Sequence, residues 1–114
     1  MAFYIPRRGD IVWLTFTPQA GHEQAGRRPA FIVSPYEYNK KVGLFLVCPI
    51  TSQIKGYPFE VRIFSKSGIE GVILADQIKS LDWKARKVEF VESAEKELID
   101  AVSARLLPLI DDSI

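Results

Sequence analysis

The residues best equipped for chemistry lie in one short stretch, from Gly21 to Pro29. It holds a histidine, a glutamate and a glutamine between two glycines, then two adjacent arginines, and the apolar run Ala30–Val33 follows directly after Pro29. The guanidinium of arginine is a planar fork that matches two oxygens of a phosphate group. Arg28, at the entry to the apolar run, is therefore a candidate phosphate ligand. A plain solvated loop, with glycines that only supply turns, is the alternative.

A hydroxyl and a carboxylate extend this candidate set. Thr51 directly follows a second apolar run, and its hydroxyl can donate to a further phosphate oxygen. In RNA cleavage the 2′-hydroxyl is the nucleophile, so a protein need only align the attack, move protons and stabilise charge on phosphorus. Arginine is a poor base at neutral pH because its pKa exceeds ~12, which makes Glu23 the candidate base. An ion pair with Arg27 or Arg28 is the alternative for Glu23.

The composition favours neither metal nor histidine chemistry. The chain has one histidine and one cysteine, and no paired carboxylates stand at ligand spacing, so we predict no metal and no cofactor. Cys48 cannot form an intrachain disulfide, and its apolar neighbours predict a buried thiol.

The length of 114 residues predicts a single domain, residues 1–114, with a core large enough to fold without disulfides. No apolar run approaches the ~20 residues of a membrane helix, and the N-terminus lacks a signal peptide, so we expect a cytoplasmic protein. Through Val88 there are 13 Lys/Arg against 7 Asp/Glu, and from Glu89 onward 2 against 7, which together give the net charge of +1. A basic body with an acidic end makes a polyanionic partner plausible.

Six apolar or alternating runs predict strands that would carry these residues, and short turns separate them. The predicted strands are 10–16, 29–33, 44–50, 59–63, 72–78, with a bend near Asp76, and 88–91. The third run is continuously apolar, which predicts the most central strand.

Two helical segments complete the prediction. Ser34–Glu37 has the form of a capping box with proline at N1, so a short helical turn should run through Asn39. Ser93 is the predicted N-cap of a terminal helix that Pro108 should end. The helix should pack on the sheet by one stripe, formed by Leu98, Val102 and Leu106. The predicted fold is mainly β, a small, strongly bent antiparallel barrel closed by a C-terminal α-helix.

Five segments carry a definite pattern in their order and spacing: Gly9–Trp13, Gly21–Ala30, Pro49–Ser52, Lys55–Val61 and Leu74–Ser80. Together they resemble the MazF/PemK/Kid family of toxin endoribonucleases over nearly the whole chain. The resemblance is weakest in the acidic C-terminal helix.

The resemblance implies an SH3-like barrel that works as a homodimer. It also implies a metal-independent, sequence-specific mRNA interferase, the toxin of a type II toxin–antitoxin system, which arrests growth by cleaving single-stranded mRNA to 2′,3′-cyclic phosphate and 5′-hydroxyl ends. The family's arginine before the proline falls on Arg28, its threonine on Thr51 and its loop glutamate on Glu23, which gives the expected catalytic set.

The same matching implies RNA contacts by Gln24, Arg27 and Gln77. Lys55 and Lys79 would add charge for the RNA backbone, with ordinary surface lysines as the alternative. The position of Arg27 varies in the family, so the cleaved sequence cannot be copied from relatives. Two aromatic residues, Trp13 and Tyr57, could stack on bases, although burial in the core is the expectation for Trp13.

The partners implied by the resemblance are single-stranded RNA, a second copy of the chain and a cognate antitoxin. The antitoxin should have an acidic tail that competes for the basic groove, and operator DNA would be bound only through it. No membrane is implied. Two alternatives stay open: a non-enzymatic toxin of the same fold that inhibits DNA gyrase, as CcdB-like proteins do, and a passive RNA-binding barrel. The first gives no task to Arg28 and Thr51.

Overall fold

The computed structural model describes residues 3–16 and 26–112, and this part of the chain forms seven strands, two α-helices and one 3-10 turn. The strands are β1 (Asp10–Phe16), β2 (Gly26–Ile32), β3 (Leu44–Thr51), β4 (Glu60–Phe64), β5 (Glu70–Leu74), β6 (Lys79–Asp82) and β7 (Glu89–Ser93). The helices are α1 (Tyr36–Val42) and α2 (Lys96–Ile110), and the 3-10 turn is Ala75–Gln77.

All strands pair antiparallel in one curled sheet with the order β4-β5-β3-β2-β1-β7, and β6 lies beside β3. β3 is central as predicted, since it pairs with β2, β5 and β6 along different parts of its length. The predicted mainly β fold is confirmed: the sheet bends into a half-barrel, and a C-terminal helix covers it.

The sheet buries apolar residues on both faces, because alternate side chains of a strand point to opposite sides. On one face α2 packs with its predicted stripe, where Val102 and Leu106 are buried and Leu98 packs against them. The same cluster contains Cys48, whose thiol pKa is raised to about 12 by burial and, further, by the nearby Asp76 carboxylate. The thiol is therefore protonated and acts as a small apolar side chain.

Four of the six predicted strands have bounds within two residues of the observed ones, and two differ more. β2 begins at Gly26 rather than at Pro29, because its first residues pair with β1. The predicted strand 72–78 is two elements, since β5 ends at Leu74 and the chain turns through Ala75–Gln77. The bend expected near Asp76 is this turn. The short strand β6 after it was not predicted.

The predicted starts and ends of both helices differ from the structure. α1 begins after Pro35, which is its N-cap, and Ser34 makes no capping bond. α2 has Glu95 as N-cap, because Ser93 belongs to β7 and donates to Asp10 Oδ1 at 3.0 Å. Pro108 lies inside the last turn of α2, which continues to Ile110. So close to the C-terminal end, its missing N–H and its ring disturb only the final turn.

A buried polar network fixes the end of the sheet where β2 leads into α1. Ser34 Oγ donates to Asn39 Oδ1 at 2.5 Å and accepts from the Leu46 N–H at 2.8 Å. Asn39 Nδ2 donates to the Pro6 and Ser34 carbonyl oxygens at 2.9 and 3.1 Å, and the Trp83 indole N–H donates to the Asn39 carbonyl at 2.9 Å. Asn39 is wholly buried, so these bonds satisfy groups that water cannot reach.

Among the described residues, no helix is long and apolar enough to cross a membrane.

Candidate functional site

A cleft of about 370 Å³ opens where β2 and β3 part. The pairing of these strands begins at Ala30 and Pro49, and beyond that point β3 pairs through Ile50 and Thr51 with β5 instead. Proline has no N–H to donate, and both Pro29 and Pro49 lie at this point. The parted strands leave polar side chains beside the gap. The residues that line it are Trp13, Arg27, Arg28, Pro29, Ile50, Thr51, Ser52, Gly68, Ile69 and Glu70.

The strand register brings the two leading candidates together at this cleft. The last paired residues before the strands part are Ala30 and Pro49, and Arg28 and Thr51 each lie two residues beyond them. Both residues line the cleft. An arginine and a hydroxyl thus lie on neighbouring strands, 23 positions apart in sequence.

Thr51 is held in place by its own turn and by β5. It is only 8% exposed, and its Oγ1 accepts a hydrogen bond from the Gln53 N–H at 3.2 Å. Its partner in the ladder is Val72. Beside that pair, Gly71 has φ +129°, and a Cβ there would overlap the Thr51 carbonyl oxygen. The glycine therefore lets β5 approach the backbone of Thr51 closely.

Arg27 lies on the other face of β2, because neighbouring residues of a strand alternate. Its Nη2 donates to Glu89 Oε1 on β7 at 2.7 Å, and its Nη1 donates to Thr15 Oγ1 at 3.4 Å. Trp13, between them on β1, pairs with Pro29 and with Glu89. Trp13 is 37% exposed on the cleft wall, so the expectation that it is buried in the core was wrong. The curl of the sheet leaves this part of the face uncovered by α2.

A glutamate organises the loop between β3 and β4. The two carboxylate oxygens of Glu60 accept from the N–H groups of Lys55 and Gly56, at 3.1 and 2.9 Å. The loop presents Lys55 and the exposed ring of Tyr57 to solvent. Glu60 thereby fixes the backbone of the segment that carries a predicted RNA contact.

A second glutamate fixes the β4–β5 turn, which supplies Gly68 to the cleft wall. Glu92 on β7 accepts from the N–H groups of Ser67 and Lys66, at 3.0 and 3.4 Å. Partial burial raises the pKa of Glu92, but the hydrogen bonds from Ser67, Ser65 and Lys66 outweigh it, so the pKa lies below its usual value. The charged form of the carboxylate is the one that holds the turn.

The remaining predicted residues are distributed around this cleft. Glu23 and Gln24 lie outside the residues that the structure describes. Gln77 is in the 3-10 turn and Lys79 begins β6, opposite Val47 of β3. Neither they nor Lys55 are among the lining residues. Within residues 3–16 and 26–112, no three His, Cys, Asp or Glu side chains form a group that could hold a metal ion.

Sequence reasoning missed three carboxylates around the site. Glu70 lines the cleft itself, Glu89 pairs with Arg27, and Glu92 holds the turn. Glu70 lies between two predicted strands, where the sequence indicates a turn, and the other two lie far along the chain from the groups they contact. The alternation of Glu89 with Phe90 in an edge strand is the one sequence signal that could have placed Glu89 on an exposed face.

Comparisons with known proteins agree with this geometry. The family described as "PemK-like, MazF-like toxin of type II toxin-antitoxin system" matches residues 7–110. The endoribonuclease toxin MazF of Escherichia coli (strain K12) is 45% identical over 107 residues, which cover 94% of this chain and 96% of that protein.

Two solved structures from Deinococcus radiodurans share the fold. A crystal structure of MazF superposes with a TM-score of 0.89 at 49% identity, covering 95% of this chain and 98% of that one. MazF in a MazE–MazF complex gives a TM-score of 0.83 at 49% identity, covering 95% and 97%.

Proposed function

The chain belongs to the PemK-like, MazF-like family of type II toxins, and we propose that it is an endoribonuclease toxin that cleaves single-stranded mRNA without a metal ion. Cleavage occurs in the cytoplasm at specific RNA sequences, and it arrests the growth of the cell. The E. coli relative is itself named an endoribonuclease toxin. This similarity gives no support to gyrase inhibition or to passive RNA binding, the two alternatives that the sequence left open.

The observation that carries the proposal is that Arg28 and Thr51 line the same cleft, on neighbouring strands that part there. A fork of N–H donors and a hydroxyl line a common cleft, and such a pair can donate to the two non-bridging phosphate oxygens, on which negative charge develops in the transition state. Neither residue belongs to either apolar cluster. Both donor side chains are attached to strands, so the sheet fixes the backbone positions from which they reach the developing negative charge.

The reaction needs an in-line attack, which this site would align. The ribose 2′-oxygen forms a bond to phosphorus, and the bond from phosphorus to the 5′-oxygen breaks, giving a 2′,3′-cyclic phosphate and a 5′-hydroxyl. Glu23 takes the 2′-hydroxyl proton, and the 5′-oxygen takes a proton from water as it leaves. Arg28 and Thr51 stabilise the charge on the phosphoryl oxygens, a task for which arginine needs no change in protonation.

Other residues would hold the RNA on either side of the cut. Gln24, Arg27 and Gln77 contact the nucleotides, and Lys55 and Lys79 attract the backbone. The RNA path is expected to be completed by a second copy of the chain in a homodimer. A cognate antitoxin, bound as MazE is in the D. radiodurans MazE–MazF complex, would block the cleft with an acidic tail, and operator DNA would be reached only through it.

The proposal is tested with purified protein and a long, unstructured RNA in excess EDTA. We expect discrete cuts, whose downstream fragments carry 5′-hydroxyl ends that polynucleotide kinase labels without prior phosphatase treatment. Protein with Arg28→Ala, purified in parallel, is the control for contaminating ribonucleases. Sequencing the labelled ends gives the cleaved word.

Intact RNA at a large excess of folded protein would overturn the proposal. Cuts that require Mg²⁺, or fragments that begin with a 5′-phosphate, would contradict the chemistry assigned to Arg28 and Thr51. Light scattering of the same sample measures the oligomeric state, and a monomer at micromolar concentration would contradict the expected dimer.

A further inference from the structure

The side chain of Arg27 on β2 crosses the neighbouring strand β1 and forms an ion pair with Glu89 on β7. Its guanidinium passes over β1, where it contacts Thr15, and pairs with Glu89 on β7 at 2.7 Å. We propose that Glu89 is a positioning residue that holds Arg27 in place as the reader of a guanine base next to the cleaved bond. This inference rests on the proposed endoribonuclease function.

The charges around Arg27 suit a base better than a phosphate. The Glu89 carboxylate, 2.7 Å from the guanidinium, offsets the charge of Arg27 and so weakens its attraction for a phosphate. Arg28 and Thr51, which line the same cleft, supply the donors for the phosphate instead. The partly exposed ring of Trp13 adds a surface on which a base can stack.

The donors left on Arg27 indicate which base fits. A guanidinium has five N–H groups, of which one goes to Glu89 and one to Thr15. The others are available as a fixed fork in the cleft. The best match for such a fork on a base edge is the O6 and N7 acceptor pair of guanine. Unpaired RNA bases expose that edge to side chains.

Folding stability does not explain the ion pair. The Arg27 side chain is 35% exposed and that of Glu89 is 73% exposed, and ion pairs so open to water contribute little to stability. Losing Glu89 should therefore change what the cleft recognises more than whether the chain folds. A second exposed pair of the same length, Lys96 with Asp100 on α2, provides a matched control away from the cleft.

The experiment uses short single-stranded RNAs that contain the mapped cleavage word, with either guanosine or 7-deazaguanosine, which lacks the N7 acceptor. We expect the wild-type protein to prefer guanosine by about tenfold in kcat/KM, the usual size of one hydrogen bond to a charged group. With Glu89→Ala the preference should fall to near one, and with Glu89→Gln it should partly survive because the amide oxygen still accepts from Arg27. Asp100→Ala should keep the full preference.

Salt dependence gives a second, independent result. When Glu89 is removed, the freed charge of Arg27 can bind a phosphate, so log(kcat/KM) against log[salt] should steepen by about 0.7, the value for one added contact to a single strand. An unchanged slope and an unchanged guanosine preference in Glu89→Ala would overturn the inference. So would equal wild-type cleavage of the two RNAs, or a cleaved word without guanine. In each of these cases the RNA is still cut, so the proposed endoribonuclease function stands. Uncut RNA would instead contradict the proposed function itself.

Discussion

The two ends of the β2–β3 pair both carry polar side chains, but these are buried at one end and line a cleft at the other. At the α1 end, Ser34 and Asn39 are buried and bond to one another and to nearby backbone groups. At the cleft end the strands part, and Arg28 and Thr51 stand beside an open gap. Buried polar groups that bond to one another stabilise the protein, whereas polar side chains that line a cleft can contact a ligand. This contrast predicts which substitutions affect folding and which affect cleavage.

The largest effect is expected at the cleft end. Arg28→Ala should lower kcat/KM for RNA cleavage by about 10²–10³-fold, since one donor to transition-state charge contributes that much. The midpoint of urea unfolding should stay close to the wild-type value. Arg62→Ala, an exposed strand arginine outside the cleft, is the matched control and should leave both values unchanged. Cleavage at the wild-type rate by Arg28→Ala would refute the site assignment.

The opposite result is expected at the α1 end. Asn39→Ala should lower the free energy of unfolding by about 2–3 kcal/mol, because it leaves Ser34 Oγ and buried carbonyl oxygens without their donors or acceptors. Cleavage per folded molecule should not change. Urea unfolding gives the first value and active-site-normalised kinetics the second, with Glu37→Ala on the exposed side of α1 as control. A cleavage defect in a fully folded Asn39→Ala protein would remove the contrast between the two ends.

A smaller effect is expected for Thr51, which takes part in both roles. Thr51→Val keeps the shape but removes the hydroxyl, and we expect about a tenfold loss in kcat/KM. The loss is smaller than for Arg28 because a neutral donor stabilises charge less than a cation does. Losing the acceptor for the Gln53 N–H should cost about 1 kcal/mol of stability. Thr51→Ser keeps the hydroxyl and removes only the methyl group, so it should retain most of the wild-type rate.

The smallest effect concerns pH. The pKa of Glu92 is lowered in the folded protein, so its contribution to stability is complete above the unfolded pKa of about 4.5 and is lost as pH falls through the lower folded value. Hydrogen exchange should show the β4–β5 turn loosening in acid while the α1 end stays protected. Glu92→Gln should make exchange at the turn faster at neutral pH and nearly independent of pH. Equal acid sensitivity at both ends in the wild type would contradict the prediction.

The parts of the fold that followed from the sequence are those with local signals. β1 occupies 10–16 as predicted, since alternating β-branched and aromatic residues have one good arrangement. The stripe of α2 also packs as predicted. The predicted helix caps were wrong because the hydroxyls of Ser34 and Ser93 form hydrogen bonds with other elements of the fold. Strand β6 was missed because its four residues are too few to show a periodic pattern.

The candidate site divides in the same way. The types of residue needed at Arg28 and Thr51 could be read from the sequence, because chemistry restricts which side chains can hold a phosphate. The three carboxylates at Glu70, Glu89 and Glu92 could not, since only the folded sheet brings Glu70 to the cleft and the other two to the groups they contact. Trp13 was misplaced for that reason too: hydrophobicity predicts burial, but the extent of α2 decides which part of a face is covered.

By itself, the sequence determined the family, the antiparallel fold and the pair of residues most suited to a phosphate. Only the tertiary structure decided where β2 and β3 part, and that point sets Arg28 against Thr51 on one side of the strand and Arg27 against Glu89 on the other. Two adjacent arginines are equivalent as letters in a sequence. A pleated strand makes them different, because it points neighbouring side chains to opposite faces with different partners.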